Sequence, residues 1–425
     1  MSWTAPVRPD WVVAINAGNV VPIAEEAALP LARDALLGEA RARLGVSDGG
    51  IADFGFDEFD ADSFIEPLDR VLAALEAEAA LTPMGRWMTR RFVLRLLEVR
   101  LQLAAYVRTD PGVRDEPIDA PLFVAGAPRT GTTILHALLA ADPAHRVPLG
   151  WELLRPVPPP DADQARFAVD PRVDLADREL ILPQTVVSGL LAIHEYGGRR
   201  PKECLSAMSF TFLSEEFTAR YRVPSYEAWL ADCDMTPAYG MHKLVLQVLQ
   251  RRMGPASWVL KSPVHLHSLP TLFRVYPDAR VAVTHRDPLA LLASLTSLIA
   301  NLRWAHSDEV DFRDIGEAHA RRWRRTLDAL VVGSEQNALP ATQLHHSRYA
   351  EFVKDALDVV ARLYDRFDRP FSADVASRLR DALESRPQGE HGAHEYSFDS
   401  LGLDVDAERA AFRRYQQTFD VPDEA

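Results

Sequence analysis

The chain has 425 residues, 47% of them apolar and 25% charged, enough apolar material for one large domain or two smaller ones, which argues against a disordered chain. Its 61 acidic residues against 47 basic ones leave a formal net charge of -14, so nucleic acid and anionic membrane are poor main partners, because phosphate backbones are held by excess lysine and arginine. Two cysteines, Cys204 and Cys233, are too few for a disulfide framework and lack metal-ligand spacing; with no leader pattern and no apolar run near the ~18 to 20 residues of a membrane span, they point to a soluble, cytoplasmic protein.

In chain order, residues 63–107 read as two helices. The first opens at a capping-box pattern, Ser63-Phe-Ile-Glu66, followed by Leu68, Val71, Leu72 and Leu75 at helical spacing. Thr82-Pro83 supplies an N-cap and a first-turn proline for the second, whose "RWMTRRFVLRLLEVRLQLAAYV" carries an apolar stripe and, opposite it, arginines expected to be solvated or ion-paired. Such stripes suit a homodimer and a packed extension equally. The turn-rich "RTDPGVRDEPIDAP" then divides a helical N-terminal region, residues 1–118, from a second region, residues 119–425.

Beyond that boundary, "PLFVAG" (121–126), "SWVLKS" (257–262), "ARVAVTHR" (279–286) and "TQLHHSRY" (342–349) read as short buried strands, separated by helical segments that include residues 134–141 and 289–302. The alternation predicts an α/β fold, a P-loop type parallel sheet flanked by helices. An insert, residues 149–255, separates the first two strands. Its aromatics, Phe210, Phe212, Phe217, Tyr221, Tyr226, Trp229 and Tyr239, form either an apolar pocket or the core of a lid. Within it, "GGRRPKE" (197–203) reads as a solvated basic loop; along the whole chain His194, His242, His345 and His346 have no metal-ligand spacing and receive no role.

The stretch "GAPRTGTT" (126–133) keeps the glycine spacing of the phosphate-binding GxxxxGK[ST] loop but has Thr132 where the lysine belongs. Strand, glycine-bearing turn and helix in that order aim backbone N–H groups and the positive end of the helix dipole at an anion. A nucleoside-triphosphate enzyme would add a lysine for the β and γ phosphates and a strand-end aspartate for magnesium. Neither is evident here, because Asp287-Pro288 reads as the cap and first residue of the next helix. A metal-free site is therefore expected, with a magnesium-dependent kinase or NTPase as the alternative. Arg129 in the loop and Arg286 at a neighbouring strand end offer planar cations to two separated anions, and Ser294 follows Arg286 by about two helical turns.

These residues resemble the sulfotransferases that use 3′-phosphoadenosine-5′-phosphosulfate (PAPS). In that family a loop of the form PR[ST]GTT or PKSGTT grips the 5′-phosphosulfate, and an arginine followed eight residues later by a serine grips the 3′-phosphate. Pro128, Arg129, Thr130, Gly131, Thr132 and Thr133 match the first pattern, and Arg286 with Ser294 the second. The resemblance runs on through "LLAADPAHRVPLGWELLRPVPPP", "WVLKSPVHLHSLPTLFRVYPDARVAVTHRDP" and "HEYSFDSLGL", and looks like a bacterial branch with an N-terminal helical extension. It implies PAPS as co-substrate, a small-molecule or lipid-like hydroxyl acceptor, and the insert as acceptor lid. It also implies that Lys261, at the end of "WVLKSP", and Arg129 meet the charge on the bridging oxygen. A phosphosulfate carries less charge than a triphosphate, so arginines, hydroxyls and amides suffice without magnesium.

Two residues compete for the catalytic base. Glu152 in "GWELLRPVP" resembles the glutamate of tyrosylprotein sulfotransferases, although Arg155 follows it by three residues instead of two. His265 resembles the histidine of cytosolic sulfotransferases, but lies four residues past Lys261 instead of two. Burial beside Trp151 would have to raise the glutamate, whereas a histidine needs no tuning. Otherwise Glu152 pairs with Arg155 and His265 makes a helix-terminal hydrogen bond. A nucleotide-binding protein without a working base is the non-enzymatic alternative. The C-terminal "RPQGEHGAHEYSFDSLGL" replaces the family's cofactor-closing loop and leaves Arg386 or His394 to touch the 3′-phosphate.

Overall fold

A computed structural model of the chain describes residues 3–47, 49–56, 62–187, 190, 197–385 and 398–424, so His194, Arg386 and His394 lie outside the described residues. Strands β1 (Leu122–Gly126), β2 (His145–Arg146), β3 (Ser257–Lys261), β4 (Arg280–His285) and β5 (Leu344–Arg348) form one parallel sheet in the order β2-β3-β1-β4-β5. The four strands read from the sequence recur within two residues at each end. Strand β2 is additional, and two residues are too few to show a period.

Central β1 is buried throughout because its alternate side chains feed two cores. Leu122 and Val124 cluster with Leu135 and Leu138 of the Thr132–Leu139 helix and with Val360 and Leu363 of the Ala356–Arg366 helix. Phe123 and Ala125 belong to the opposite face, with Val245 of the Thr236–Gln250 helix and Leu292 of the Pro288–Trp304 helix. Helices therefore cover both faces of the sheet. The strand ends and the loops that follow them are left to build a site.

The Pro83–Thr109 helix is capped as its sequence predicts, with Thr82 Oγ1 accepting the Gly85 N–H at 3.1 Å. Of its arginines, Arg91 is exposed, whereas Arg90, Arg95 and Arg100 are 3%, 8% and 0% exposed, the first two ion-paired as expected. Arg95 pairs with Glu179 at 3.1 Å, and Arg100 donates to the Phe210 carbonyl at 3.2 Å while lying 4.3 Å from the Phe64 ring centre. One apolar cluster accordingly joins Leu37 and Leu68 to Phe210, Tyr226 and Phe123. The preceding helix, Ile65–Ala77, starts after Phe64, not at a Ser63 cap, because Phe64 is drawn into the core against Phe54 and Phe212.

Six of the seven insert aromatics are 2% exposed or less and the seventh, Trp229, packs on them, so they are core. Among the described residues, no helix is long and apolar enough to cross a membrane.

Candidate active site

Beyond β1 the chain turns through Ala127 to Gly131 into the Thr132–Leu139 helix. Two residues of the turn are left-handed, Gly131 at φ 88° and Arg129 at φ 69°. Glycine adopts this conformation freely, whereas in Arg129 it costs about 1 kcal/mol, strain of the kind that collects at functional sites. Thr130 is 2% exposed and braces the turn: its hydroxyl donates to the Ala127 carbonyl at 2.7 Å and hydrogen-bonds Thr284 Oγ1 at 2.6 Å. Gly126 admits no side chain, since a Cβ there would stand 2.0 Å from Thr284 Oγ1 on β4.

A cavity of about 320 Å³ opens over this turn, and Arg129, Gly131, Thr132, Thr133, Arg286 and Glu203 line it. Leu180, Leu190, Leu298, Ile299 and Leu302 make another wall apolar. None of the seven insert aromatics lines it.

Glu203 was not singled out by its sequence context, and the backbone explains its position. Gly150 N–H donates to the Arg200 carbonyl, Trp151 N–H to Gly198 and Lys202 N–H to Pro148, each at 2.9 Å, and Cys204 N–H donates to the Lys261 carbonyl at 3.0 Å. These bonds stitch the end of the "GGRRPKE" segment along the sheet end instead of leaving it as a solvated loop. As a result Lys261 Nζ donates to Glu203 Oε1 at 2.5 Å and to Thr133 Oγ1 at 3.3 Å. Lys261 is 3% exposed, and little water screens the pair.

Three further carboxylates line the cavity, Glu179, Glu215 and Glu216. Burial opposes ionisation of Glu216, but Arg220 and Lys202 outweigh it and hold the carboxyl at about 2. Burial raises Glu215 to about 7 against the pull of Arg322, which contacts it at 2.7 Å.

The two bases suggested by the sequence sit elsewhere. Glu152 is 1% exposed and spends both oxygens on structure, accepting from Arg146 Nη2 at 2.8 Å and from the Leu149 N–H at 2.8 Å. Its ion partner is Arg146, not Arg155, whose guanidinium pairs with Glu179. His265 is fully buried beneath β1, its Nδ1 2.9 Å from the Tyr239 hydroxyl and its ring 4.9 Å from that of Phe123. Burial, with His242 nearby, pushes its pKa well below the usual histidine value. Neither residue lines the cavity.

At the end of β4, Arg286 faces the cavity and donates from Nη1 to the Arg129 carbonyl at 2.8 Å. Asp287 caps the next helix through the Leu289 N–H at 3.0 Å and meets Arg409 at 2.6 Å, contacts that commit it to structure. Ser294 is buried in that helix and is not among the lining residues. Thus the structure brings Arg129, Thr132, Thr133 and Arg286 to one cavity, with Lys261 behind it. Thr130, Ser294, Glu152 and His265 lie outside it.

Comparison with known proteins bears on the family and the fold. Residues 121–373 match the sulfotransferase family. The chain is 26% identical over 301 residues to the omega-hydroxy-beta-dihydromenaquinone-9 sulfotransferase Stf3 of Mycobacterium tuberculosis, covering 67% of this chain and 72% of that protein. Its fold superposes on sulfotransferase STF9 of Mycobacterium avium with a TM-score of 0.81 and 30% identity, covering 93% of this chain and 98% of that one. For sulfotransferase STF1 of Mycobacterium tuberculosis H37Rv the TM-score is 0.75 at 30% identity, covering 90% and 98%.

Proposed function

This chain belongs to the sulfotransferase family, and from that premise we propose that it moves a sulfuryl group from PAPS to the hydroxyl of a lipid-like acceptor, with Glu203 as the base. The observation that carries the reading is the Glu203–Lys261–Thr133 chain of contacts, which ties a carboxylate facing the cavity to a phosphate-binding loop.

The residues suit the co-substrate. The N–H groups that open the Thr132–Leu139 helix, together with Arg129, fit a 5′-phosphosulfate. Arg286, whose guanidinium reaches the same loop, fits the 3′-phosphate. In the reaction the acceptor oxygen forms a bond to sulfur as the bond between sulfur and the 5′-phosphate oxygen breaks. Glu203 takes the hydroxyl proton, and Lys261 and Arg129 meet the charge left on the phosphate. Glu203 replaces Glu152 and His265 in this role because it alone of the three lines the cavity. The leucine-rich wall supports an apolar acceptor body, the class named for the Stf3 relatives, and two unlinked cysteines suit the cytoplasm.

The kinase alternative is not favoured. Thr132 stands where the lysine would be, and Asp287 is held as a helix cap. The test is transfer of radiolabelled sulfuryl from PAPS to a panel of hydroxylated quinols, sterols and phenols in the presence of EDTA. Transfer to at least one lipid-like member is expected. Hydrolysis of magnesium-ATP with no transfer to any of them would overturn the reading.

A further inference from the structure

Arg286 already holds a carboxylate of its own chain. Its Nε donates to Glu424 Oε1 at 2.9 Å and its Nη2 to Oε2 at 2.7 Å, the two-pronged geometry by which a guanidinium grips a carboxylate or a phosphate. The guanidinium also lies 4.1 Å from the centre of the Tyr349 ring. Contacts independent of Arg286 deliver the glutamate there. Glu424 N–H donates to Asp287 Oδ2 at 2.7 Å, and Arg409 bridges Asp287 Oδ1 at 2.6 Å and Asp423 Oδ1 at 2.8 Å. The segment is thus moored beside the cavity through its backbone and through Arg409, with the Glu424 side chain 34% exposed and that of Arg286 20% exposed.

We propose that Glu424 is an internal anion that competes with the nucleotide 3′-phosphate for Arg286 and so weakens the hold on both PAPS and the bisphosphate product. This rests on the reading of Arg286 as the 3′-phosphate ligand. Carboxylate and phosphate require the same two donors, so the bound nucleotide must displace Glu424. The apparent affinity is then the intrinsic affinity reduced by the fraction of molecules whose glutamate stands aside. A partly exposed ion pair is a weak competitor, which makes the effect a several-fold adjustment and not a block. Its consequence for turnover is faster departure of the bisphosphate, since the carboxylate re-pairs with the cation as the phosphate leaves.

The experiment is calorimetric titration of the full chain with adenosine 3′,5′-bisphosphate and, as a ligand lacking the 3′-phosphate, adenosine 5′-monophosphate. Glu424→Ala is expected to bind the bisphosphate about fivefold more tightly and the monophosphate as the unaltered chain does. Arg409→Ala, which loosens the mooring but keeps the carboxylate, is expected to shift the bisphosphate in the same direction. Should Arg286→Ala weaken the bisphosphate while Glu424→Ala leaves it unchanged, the competition is refuted and the ligand role of Arg286 stands. Equal tightening of both nucleotides by Glu424→Ala would mean a general charge effect and also refute it. Unaltered bisphosphate affinity in Arg286→Ala would remove the underlying assignment and the proposal with it.

Discussion

Lys261 Nζ lies 2.5 Å from Glu203 Oε1, and the same ammonium reaches Thr133 Oγ1 at 3.3 Å. One buried cation therefore touches both the proposed base and the phosphate loop. Removing it should cost transition-state stabilisation more than binding. Lys261→Ala is predicted to lower kcat about 100-fold or more, with a much smaller change in KM for PAPS. Steady-state kinetics at saturating acceptor check this; a loss confined to KM would assign Lys261 to binding alone.

Glu152 is predicted to matter for stability and not for chemistry. Glu152→Gln keeps the shape but leaves Arg146 without its buried counter-charge and weakens the bond to the Leu149 N–H. A loss of about 1–3 kcal/mol in unfolding free energy is expected, with kcat changed less than about tenfold in the folded protein. Thermal melts and kinetics on the same sample separate the two effects. A 100-fold fall in kcat at unchanged stability would restore Glu152 as a base.

These two residues show how far the sequence could be read. The strands, the altered loop and Arg286 were legible because each is local: a short apolar run, a glycine spacing, a cation at a strand end. Glu203 was not, because its place depends on the bonds from residues 198–204 to Pro148, Gly150, Trp151 and Lys261, pairings that no periodicity records. The available signal was the charged pair Lys202-Glu203 entering the apolar run "CLSAMSFTFL" directly. For His265 the resemblance to the cytosolic enzymes' histidine already carried a mismatch, four residues past Lys261 instead of two, and the fold places it under β1 against Phe123 and Tyr239, away from the cavity. The arginines of the Pro83–Thr109 helix read as solvated or ion-paired, and Arg90 and Arg95 are ion-paired but buried, while Arg100 lies under the insert at the Phe210 carbonyl.

Gly126 should tolerate no side chain. Gly126→Ala would drive a methyl group into Thr284 Oγ1, and relief requires parting β1 from β4 beneath the loop. A destabilisation of about 1–3 kcal/mol and weakened bisphosphate binding are predicted. The paired change Gly126→Ala with Thr284→Ala should recover part of both. Melting and titration of the single and double variants test this, and wild-type behaviour of the single variant would contradict the packing.

Acid should weaken the fold well above the usual carboxylate range. Burial lowers His242 and His306 to about 3, and His265 and His285 lie well below the usual value for the same reason. Each ring is neutral in the folded chain and takes up a proton once unfolded, below about pH 6.5. Their stabilisation is complete above that pH and is lost as pH falls toward 3, at about 1.4 kcal/mol per pH unit for each histidine. Glu215, raised to about 7, acts in the opposite sense, contributing stability at low pH that is lost as pH rises through about 7, but the depressed histidines, His267, His319, His345 and His346 among them, outnumber it. Urea unfolding midpoints should drop steeply from pH 7 to pH 5; a flat profile would contradict the buried neutral rings.

The proposed transfer requires Glu203 to take the acceptor proton. The most direct measurement is single-turnover sulfuryl transfer by Glu203→Gln, with bisphosphate affinity measured on the same preparation. The prediction is a rate lowered at least about 100-fold with affinity within about threefold of the unaltered chain. Transfer at an undiminished rate would show that another group takes the proton, and the assignment of Glu203 would fall.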